Sequence, residues 1–319
     1  MSGSALLVFN RSSGVGHGAA DAERIAEAIR EGAGTVIETV VVDDHPQARA
    51  ATAVFVTSAA GPALVVAAGG GGTLRAVVEG IMDVFPDAPP GPDVLSLGAL
   101  RMGSGNVIAR RLGVPLDPVV GARQLGLGFV RGATRRCAVL RCRHGGRGGT
   151  TVVRHALTMA GFGAWGRVPG DIQRWRHSHA GFRRRAASWI GLERVNGFEY
   201  LLVGMQRMLA GTVRPSQCER VEVDGRRPFR LLAAAALNLP IPPMPDPRVD
   251  VGDEAAGMII VPRIGRPWRR RVEPGHPLRL TLLDRESVEF FLDEDPEIAY
   301  GWIELEVPGS LAVVPGEAA

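Results

Sequence analysis

The N-terminal third of the chain alternates two hydrophobic periods. Leu6–Phe9 is a short apolar run that predicts a strand. Ala19–Arg30 carries Ala22, Ile25, Ala28 and Ile29 on one side and predicts a helix. Val36–Val42 predicts a second strand and Gln47–Thr57 a second helix. From Ala63 to Ala68 the run has no internal polarity, the pattern of a strand buried on both faces. Leu74, Val77, Val78 and Ile81 then recur at helical spacing, and between the two blocks stand Gly69, Gly70, Gly71, Gly72 and Thr73. A fourth strand is expected around Val94–Leu97, with helices over Asn106–Leu112 and Pro118–Leu127. Repeated βα units of this kind imply a doubly wound, mainly parallel sheet covered on both faces.

Beyond Gly132 the texture changes to strand-like runs: Arg135–Arg143, Thr151–Met159, Cys218–Val223, Leu231–Leu237, Met258–Val261, Leu278–Leu283, Val288–Leu292 and Ile303–Val307. They predict a second, mostly antiparallel, β-sandwich-like domain interrupted by a helical insertion over Ile172–Leu209. His144–Gly149 reads as a hairpin turn and the proline-rich Leu239–Pro247 as a structured loop. The expected organisation is an α/β domain over residues 1–130 and a β-rich domain over 131–307, with 308–319 returning to the first.

At 319 residues, with 45% hydrophobic and 22% charged, the chain has the composition of a globular protein with room for two cores. The net charge of +4 is modest, but all 37 basic residues are arginine. The absence of lysine excludes a Walker A loop and Schiff-base chemistry, both of which need an amine. Cys137, Cys142 and Cys218 make neither a disulfide framework nor a zinc site; buried thiols in a reducing compartment are expected. The run Ala5–Phe9 is too short for the core of a signal peptide, and no stretch approaches a membrane span. A cytoplasmic protein, at most peripheral to a membrane, is the expectation.

Small polar residues collect at the predicted strand ends. Asn10-Arg11-Ser12-Ser13-Gly14-Val15-Gly16 follows the first strand, the tetraglycine the third, and Gly103-Ser104-Gly105-Asn106 the fourth. Ligands of such sheets bind beyond the carboxyl ends of the strands, and glycine turns leading into helices offer backbone N–H groups to anions. Each turn alone is compatible with a plain connection; three on one rim predict a phosphate site. Asp43 and Asp44 close the second strand on that rim and read as a turn, Asp-Asp-His-Pro. Glu79, nearly two helical turns beyond Thr73, is expected to point away from the phosphates.

The motifs resemble those of the diacylglycerol kinase catalytic family, which includes bacterial lipid kinases and sphingosine kinases. Asn10, Ser13, Gly14 and Gly16 stand in its N-P-x-S-G-x-G pattern, Gly69–Thr73 in its G-G-D-G-T, and Gly103–Arg110 in its G-T-G-N-D-x-A-R. Ala160-Gly161-Phe162-Gly163, Asn238, Asp253, Asp293-Glu294-Asp295 and the closing Pro308–Pro315 segment follow in the family's order. The resemblance implies ATP and Mg2+ as cofactors and transfer of a phosphoryl group to a lipid hydroxyl. It places nucleotide binding on Asn10, Ser13, Gly14, Gly69, Gly70, Gly71, Gly72, Thr73, Gly103, Ser104, Gly105 and Asn106. Catalysis falls to Asp295 or Asp293, and metal binding to Asp253. Three acidic positions of the pattern are absent: Gly71 replaces the aspartate of G-G-D-G-T, Ala76 the glutamate after it, and Val107 the aspartate of G-N-D. Asp295 replaces a glutamate with a shorter reach. An active kinase and a nucleotide- or lipid-binding relative with little activity are therefore both expected classes. A third class is a soluble-substrate kinase such as the distantly related NAD kinases, which share the glycine motif; the end-to-end match to the lipid-kinase second domain argues against it. Arginines and aromatics at 174–190 and 268–271 suit an anionic membrane surface or a solvated face; no nucleic-acid motif accompanies them. A homodimer is a further expected partner.

Overall fold

The computed structural model describes residues 3–13, 18–103, 106–178, 196–241, 244–293 and 295–316. In the first half, β1 (Ser4–Asn10), α1 (Ala19–Ala33), β2 (Ile37–Val42), α2 (His45–Ser58), β3 (Ala63–Gly69), α3 (Gly71–Val84) and β4 (Leu95–Arg101) alternate along the chain. A short α4 (Val107–Arg111) and then α5 (Pro118–Val130) follow. The strands pair in the order β2-β1-β3-β4, all parallel. Every residue of β3 is buried, as its unbroken apolar run requires. Each large aliphatic side chain so enclosed stabilises the fold by about 1.5–3 kcal/mol. Helices start and stop on local signals: the Asp44 side chain accepts the Gln47 N–H to cap α2, and Gly34 closes α1 in the left-handed region at φ 62°. Helix α1 packs on α5, and α2 on α3. The chain leaves β1 toward β2 on one side and returns past it to β3 on the other. Right-handed crossovers in opposite directions put the two helix pairs on opposite faces.

The second half is antiparallel, as the hydrophobic pattern predicts. It comprises β5 (Arg135–Gly145), β6 (Thr151–Ala156), β7 (Met159–Gly163), β8 (Glu219–Val223), β9 (Phe229–Leu237), β10 (Ala256–Pro262), β11 (Trp268–Val272), β12 (Leu278–Leu282), β13 (Ser287–Leu292), β14 (Asp295–Tyr300) and β15 (Trp302–Val313). Helices α6 (Val168–Ser178) and α7 (Asn196–Val213) lie between β7 and β8. Strand β15 runs antiparallel to β5 and β12, shifts register between Glu306 and Gly309, and ends parallel to β4 through Ala312↔Ser96 and Val313↔Leu97. Two cores result. One, built around Phe9, Leu64 and Val77, also takes in Leu311 and Val313 from the end of the chain. The other holds Leu140, Phe162, Phe290 and Leu305. Cys137 faces the first core and Cys142 the second, and burial pushes both thiols up, away from reactive thiolate.

Several local expectations change. The run Thr151–Met159 is two strands, because the Asp293 carboxylate takes the N–H groups of Leu157, Thr158 and Met159 that a continuous ladder would use. Strand β14 escapes a hydrophobic scan because charged residues alternate along it. His144 belongs to β5 and is buried, so the hairpin turn is confined to residues 146–150. Arg269, Arg270 and Arg271 lie in β11, where Arg269 donates to the Asp246 carbonyl, Arg270 pairs with Asp224, and Arg271 with Glu273. Of the other basic stretch, Arg174 is exposed and pairs with Asp171 and Glu289. Phe182, Arg183, Arg184, Arg185, Trp189 and Ile190, and the side chains of Trp175 and Arg176, lie outside the described residues. Among the described residues no helix is long and apolar enough to cross a membrane.

Candidate active site

Strands β1 and β3 are neighbours although β2 separates them in sequence, so the chain reverses its winding direction between them. The crevice beyond their carboxyl ends is where open α/β sheets bind ligands. Asn10 ends β1 and Gly69 ends β3. Asn10 Nδ2 donates to Thr73 Oγ1 at 2.9 Å, and its Oδ1 accepts the Ser12 N–H at 2.9 Å. Ser13 Oγ accepts the Gly70 N–H at 3.1 Å and lies 3.5 Å from Thr73 Oγ1. Thr73 in turn packs on Gly69, where a Cβ would sit 2.3 Å from its hydroxyl. The Gly103 turn presses on the same loop: a Cβ at Gly103 would come within 2.4 Å of the Gly70 Cα. Asn106, in the left-handed region at φ 48°, holds that turn by accepting the Gly103 N–H at 2.9 Å and donating to its carbonyl at 2.6 Å. The structure thus brings Asn10, Ser13, Gly69, Gly70, Gly71, Gly72, Thr73, Gly103 and Asn106 to one rim. Gly14, Gly16, Ser104 and Gly105 lie outside the described residues, as does Glu294.

No side chain caps the first turn of α3. Uncapped N–H groups at a helix start, with the positive end of its dipole, suit an anion. The cleft beside them is lined by Gly69, Gly70, Gly71, Asn106 and Val107 from the first half and by Thr158, Met159 and Asp293 from the second. Asp293 is buried, with a positive φ of 46°. It accepts the N–H groups of Leu157, Thr158 and Met159 at 2.6, 2.8 and 2.9 Å, and the Thr158 hydroxyl as well. Burial pushes its carboxyl up against the pull of these donors. Asn238 holds the same segment from the other side, donating to the carbonyls of Leu157 and Ala138. Together they fix the cleft wall.

Asp295 stands against the first turn of α3. Its oxygens stand 3.5 and 3.6 Å from where a Cβ on Gly72 would be. It is 37% exposed, with Arg75 Nη1 at 3.3 Å and His45 Nδ1 at 4.0 Å. Burial raises its pKa against the opposing pull of Arg75 and His45, the direction that suits a proton acceptor. Behind it lies a buried ion cluster that sequence reading missed. Arg75 also reaches Glu79 Oε1 at 3.2 Å and Glu297 Oε1 at 2.6 Å. Glu79 points away from the loop, as expected, but into this cluster, where it also meets His45 at 2.9 Å and Arg49 at 3.0 Å. Burial alone would raise Glu79; the His45 hydrogen bond and the charges of Arg75 and Arg49 outweigh it and hold the carboxyl at about 2. Next to it, burial lowers His155 to about 4. One signal was available. Arg75 and Glu79 stand four apart on a helix that is otherwise apolar around Ala76–Met82, the mark of an internal pair.

The other candidates are placed elsewhere. Asp43 pairs with exposed Arg11, and Asp44 caps α2, so this carboxylate pair serves the turn. Asp253 accepts the Asp250 N–H within its own turn, lies 3.8 Å from Arg271, and does not line the cleft. No group of three metal-ligating side chains occurs among the described residues. The glycine cradle fits the phosphates that the resemblance implies; the acidic set for a protein-held magnesium does not. A larger concavity of about 560 Å³, lined by Asp171, Leu202, Gln206, Arg207, Arg214 and Gln217, opens between α6 and α7 and shares no residue with the cleft.

Residues 4–142 match the family model of the diacylglycerol kinase catalytic domain. No curated protein matches the chain. Among solved structures, a diacylglycerol kinase from Bacillus anthracis str. Sterne aligns at TM-score 0.59 and 14% identity, over 98% of this chain and 96% of its own. A provisionally assigned diacylglycerol kinase from the same strain aligns at TM-score 0.65 and 14% identity over the whole of both chains. At that identity the two structures speak for the fold. Residues 4–142 are thus similar to the diacylglycerol kinase catalytic domain, and the chain as a whole shares the fold of these two structures.

Proposed function

We propose that this protein transfers the γ-phosphate of ATP to a hydroxyl of a diacylglycerol-like or sphingoid lipid. The observation that carries the reading is the position of Asp295: a carboxylate from the second half of the chain beside Gly72 in the first turn of α3. In this reading the loop N–H groups and the Thr73 hydroxyl hold the phosphates. Asp295 accepts the proton of the lipid hydroxyl as its oxygen attacks the γ-phosphorus and ADP leaves. Asp293, enclosed by four donors, serves the cleft wall rather than the proton transfer. The acceptor lipid brings the protein to a membrane surface. The test is transfer of labelled γ-phosphate from ATP to mixed lipid vesicles containing diacylglycerol and sphingoid bases. A labelled lipid supports the kinase; label released only to water counts against it.

A second reading has its own observation. Gly71, Ala76 and Val107 carry no acid, and Asp295, the carboxylate beside Gly72, is engaged by Arg75. A protein that binds nucleotide or lipid without turning it over would look like this. ATP binding with no transfer to any vesicle lipid selects it.

A further inference from the structure

We infer that Arg75 is the resident cation of this site, and that the glycine loop binds nucleotide phosphate without a divalent metal held by the protein. The inference rests on the reading of the loop as a nucleotide-phosphate site. Magnesium beside nucleotide phosphates is held by the protein through one or two carboxylates. Among the described residues, the carboxylates on that side of α3 are Asp293, Asp295, Glu79 and Glu297, and each is already engaged. Asp293 is turned to three backbone N–H groups and the Thr158 hydroxyl. Glu79 lies between Arg75, Arg49 and His45 and is 2% exposed. Glu297 faces Arg75 at 2.6 Å and Arg154 at 3.5 Å. Asp295 is the most exposed of the four, and its Oδ2 is the atom on Arg75.

Arg75 itself is 3% exposed and serves three carboxylates at once. Its guanidinium is fixed by those contacts and by the Leu292 carbonyl at 3.5 Å. It cannot lose its charge in a protein. A metal ion arriving there would have to displace this group and would also meet the positive end of the α3 dipole. The same charges that exclude a metal favour a bare anion. Arg75 offsets part of the negative charge that Asp295 brings to the loop, so the loop N–H groups face a phosphate across a partly neutralised carboxylate.

Calorimetric titration of ATP into the full chain, in EDTA and then in magnesium chloride, tests the inference. The two dissociation constants should agree within about threefold. Binding at least about tenfold tighter with magnesium overturns the inference but leaves the loop as the nucleotide site. No heat in either buffer overturns the site and the inference with it. Variants separate a charge role from a packing role. Arg75→Gln should bind ATP at least about tenfold more weakly in EDTA and regain affinity with magnesium, whereas Arg75→Lys should stay within about threefold of the parent. Equal losses in both variants, unchanged by magnesium, would make Arg75 a packing residue only. Should Arg75→Gln fail to fold, Gly71→Asp puts the question without touching the core. Its added carboxylate should weaken binding in EDTA by at least about tenfold, with recovery in magnesium. The parent affinity retained in EDTA would refute the inference.

Discussion

The two sides of α3 are built from different materials. On the loop side, Asn10, Ser13, Thr73 and Asn106 act through neutral hydrogen bonds of 2.6–3.1 Å on backbone and hydroxyl groups. On the side facing β14, Arg75, Glu79, Asp295 and Glu297 act through charge, with Arg75 and Glu79 out of solvent and Asp295 and Glu297 partly exposed. Neutral contacts of the first kind contribute about 1 kcal/mol each and can be lost singly. A buried charged cluster is balanced as a whole, so that removing one partner leaves the others uncompensated, at about 3–5 kcal/mol. The loop is therefore adjustable and the cluster is not. In the function proposed above, ligand recognition falls on the first side, while the other joins the second half of the chain to the first.

The largest expected effect lies where the two sides meet. Asp295→Asn should lower transfer to lipid by about 10³-fold while leaving ATP affinity within about threefold, because proton acceptance is lost and the loop is untouched. A parallel loss of nucleotide affinity would mean that Asp295 belongs to the binding side. Next, Glu79→Leu should destabilise the fold by about 4 kcal/mol in urea melts, since Arg75 keeps its charge in a buried place. A cost below about 1 kcal/mol would show that the cluster is far better solvated than its burial indicates.

Acid should find the cluster before the loop. His155 titrates near 4 in the folded chain against an ordinary 6.5, so the unfolded chain takes up its proton first as the pH falls. Stability is thus lost on acidification from 6.5 to 4, by about 3 kcal/mol in all. Glu79, held at about 2 against 4.5, extends the loss from 4.5 down to 2. Melting temperatures of His155→Asn should be flatter than those of the parent across the upper window, and those of Glu79→Gln across the lower. Identical slopes would remove both groups from the account. The smallest effect belongs to the loop: Ser13→Ala frees the Gly70 N–H and should weaken ATP binding about fivefold, with a stability change within about 1 kcal/mol. A fully unfolded Ser13→Ala protein would erase the contrast between the sides.

The loop side was legible in the sequence because its parts are local signals. A buried strand followed by glycines and a helix announces itself, and Asn10, Ser13 and Asn106 follow their own strands directly. The cluster was not legible because its members are far apart: Arg75 and Glu297 are separated by 222 positions, and nothing distinguishes Arg75 from the other 36 arginines except its neighbours in the helix. Strand β14, which delivers Asp295 and Glu297, was missed for the related reason that alternating charge hides a strand whose polar face is turned to protein rather than water. Asp293 was found by motif, while its donors, consecutive backbone N–H groups, leave no trace in side-chain chemistry.

Strand β15 has a consequence for how the molecule is made. Its last residues pair with β4, and Leu311, Val313 and Val314 fill the core around Phe9 and Leu64. During translation, the parallel sheet of the first half leaves the ribosome long before the strand that borders it. Until the other half has been synthesised, the edge of β4 has no β15 to pair with. Such an exposed edge invites pairing with a neighbouring nascent chain. The protein's vulnerable moment is therefore its own synthesis.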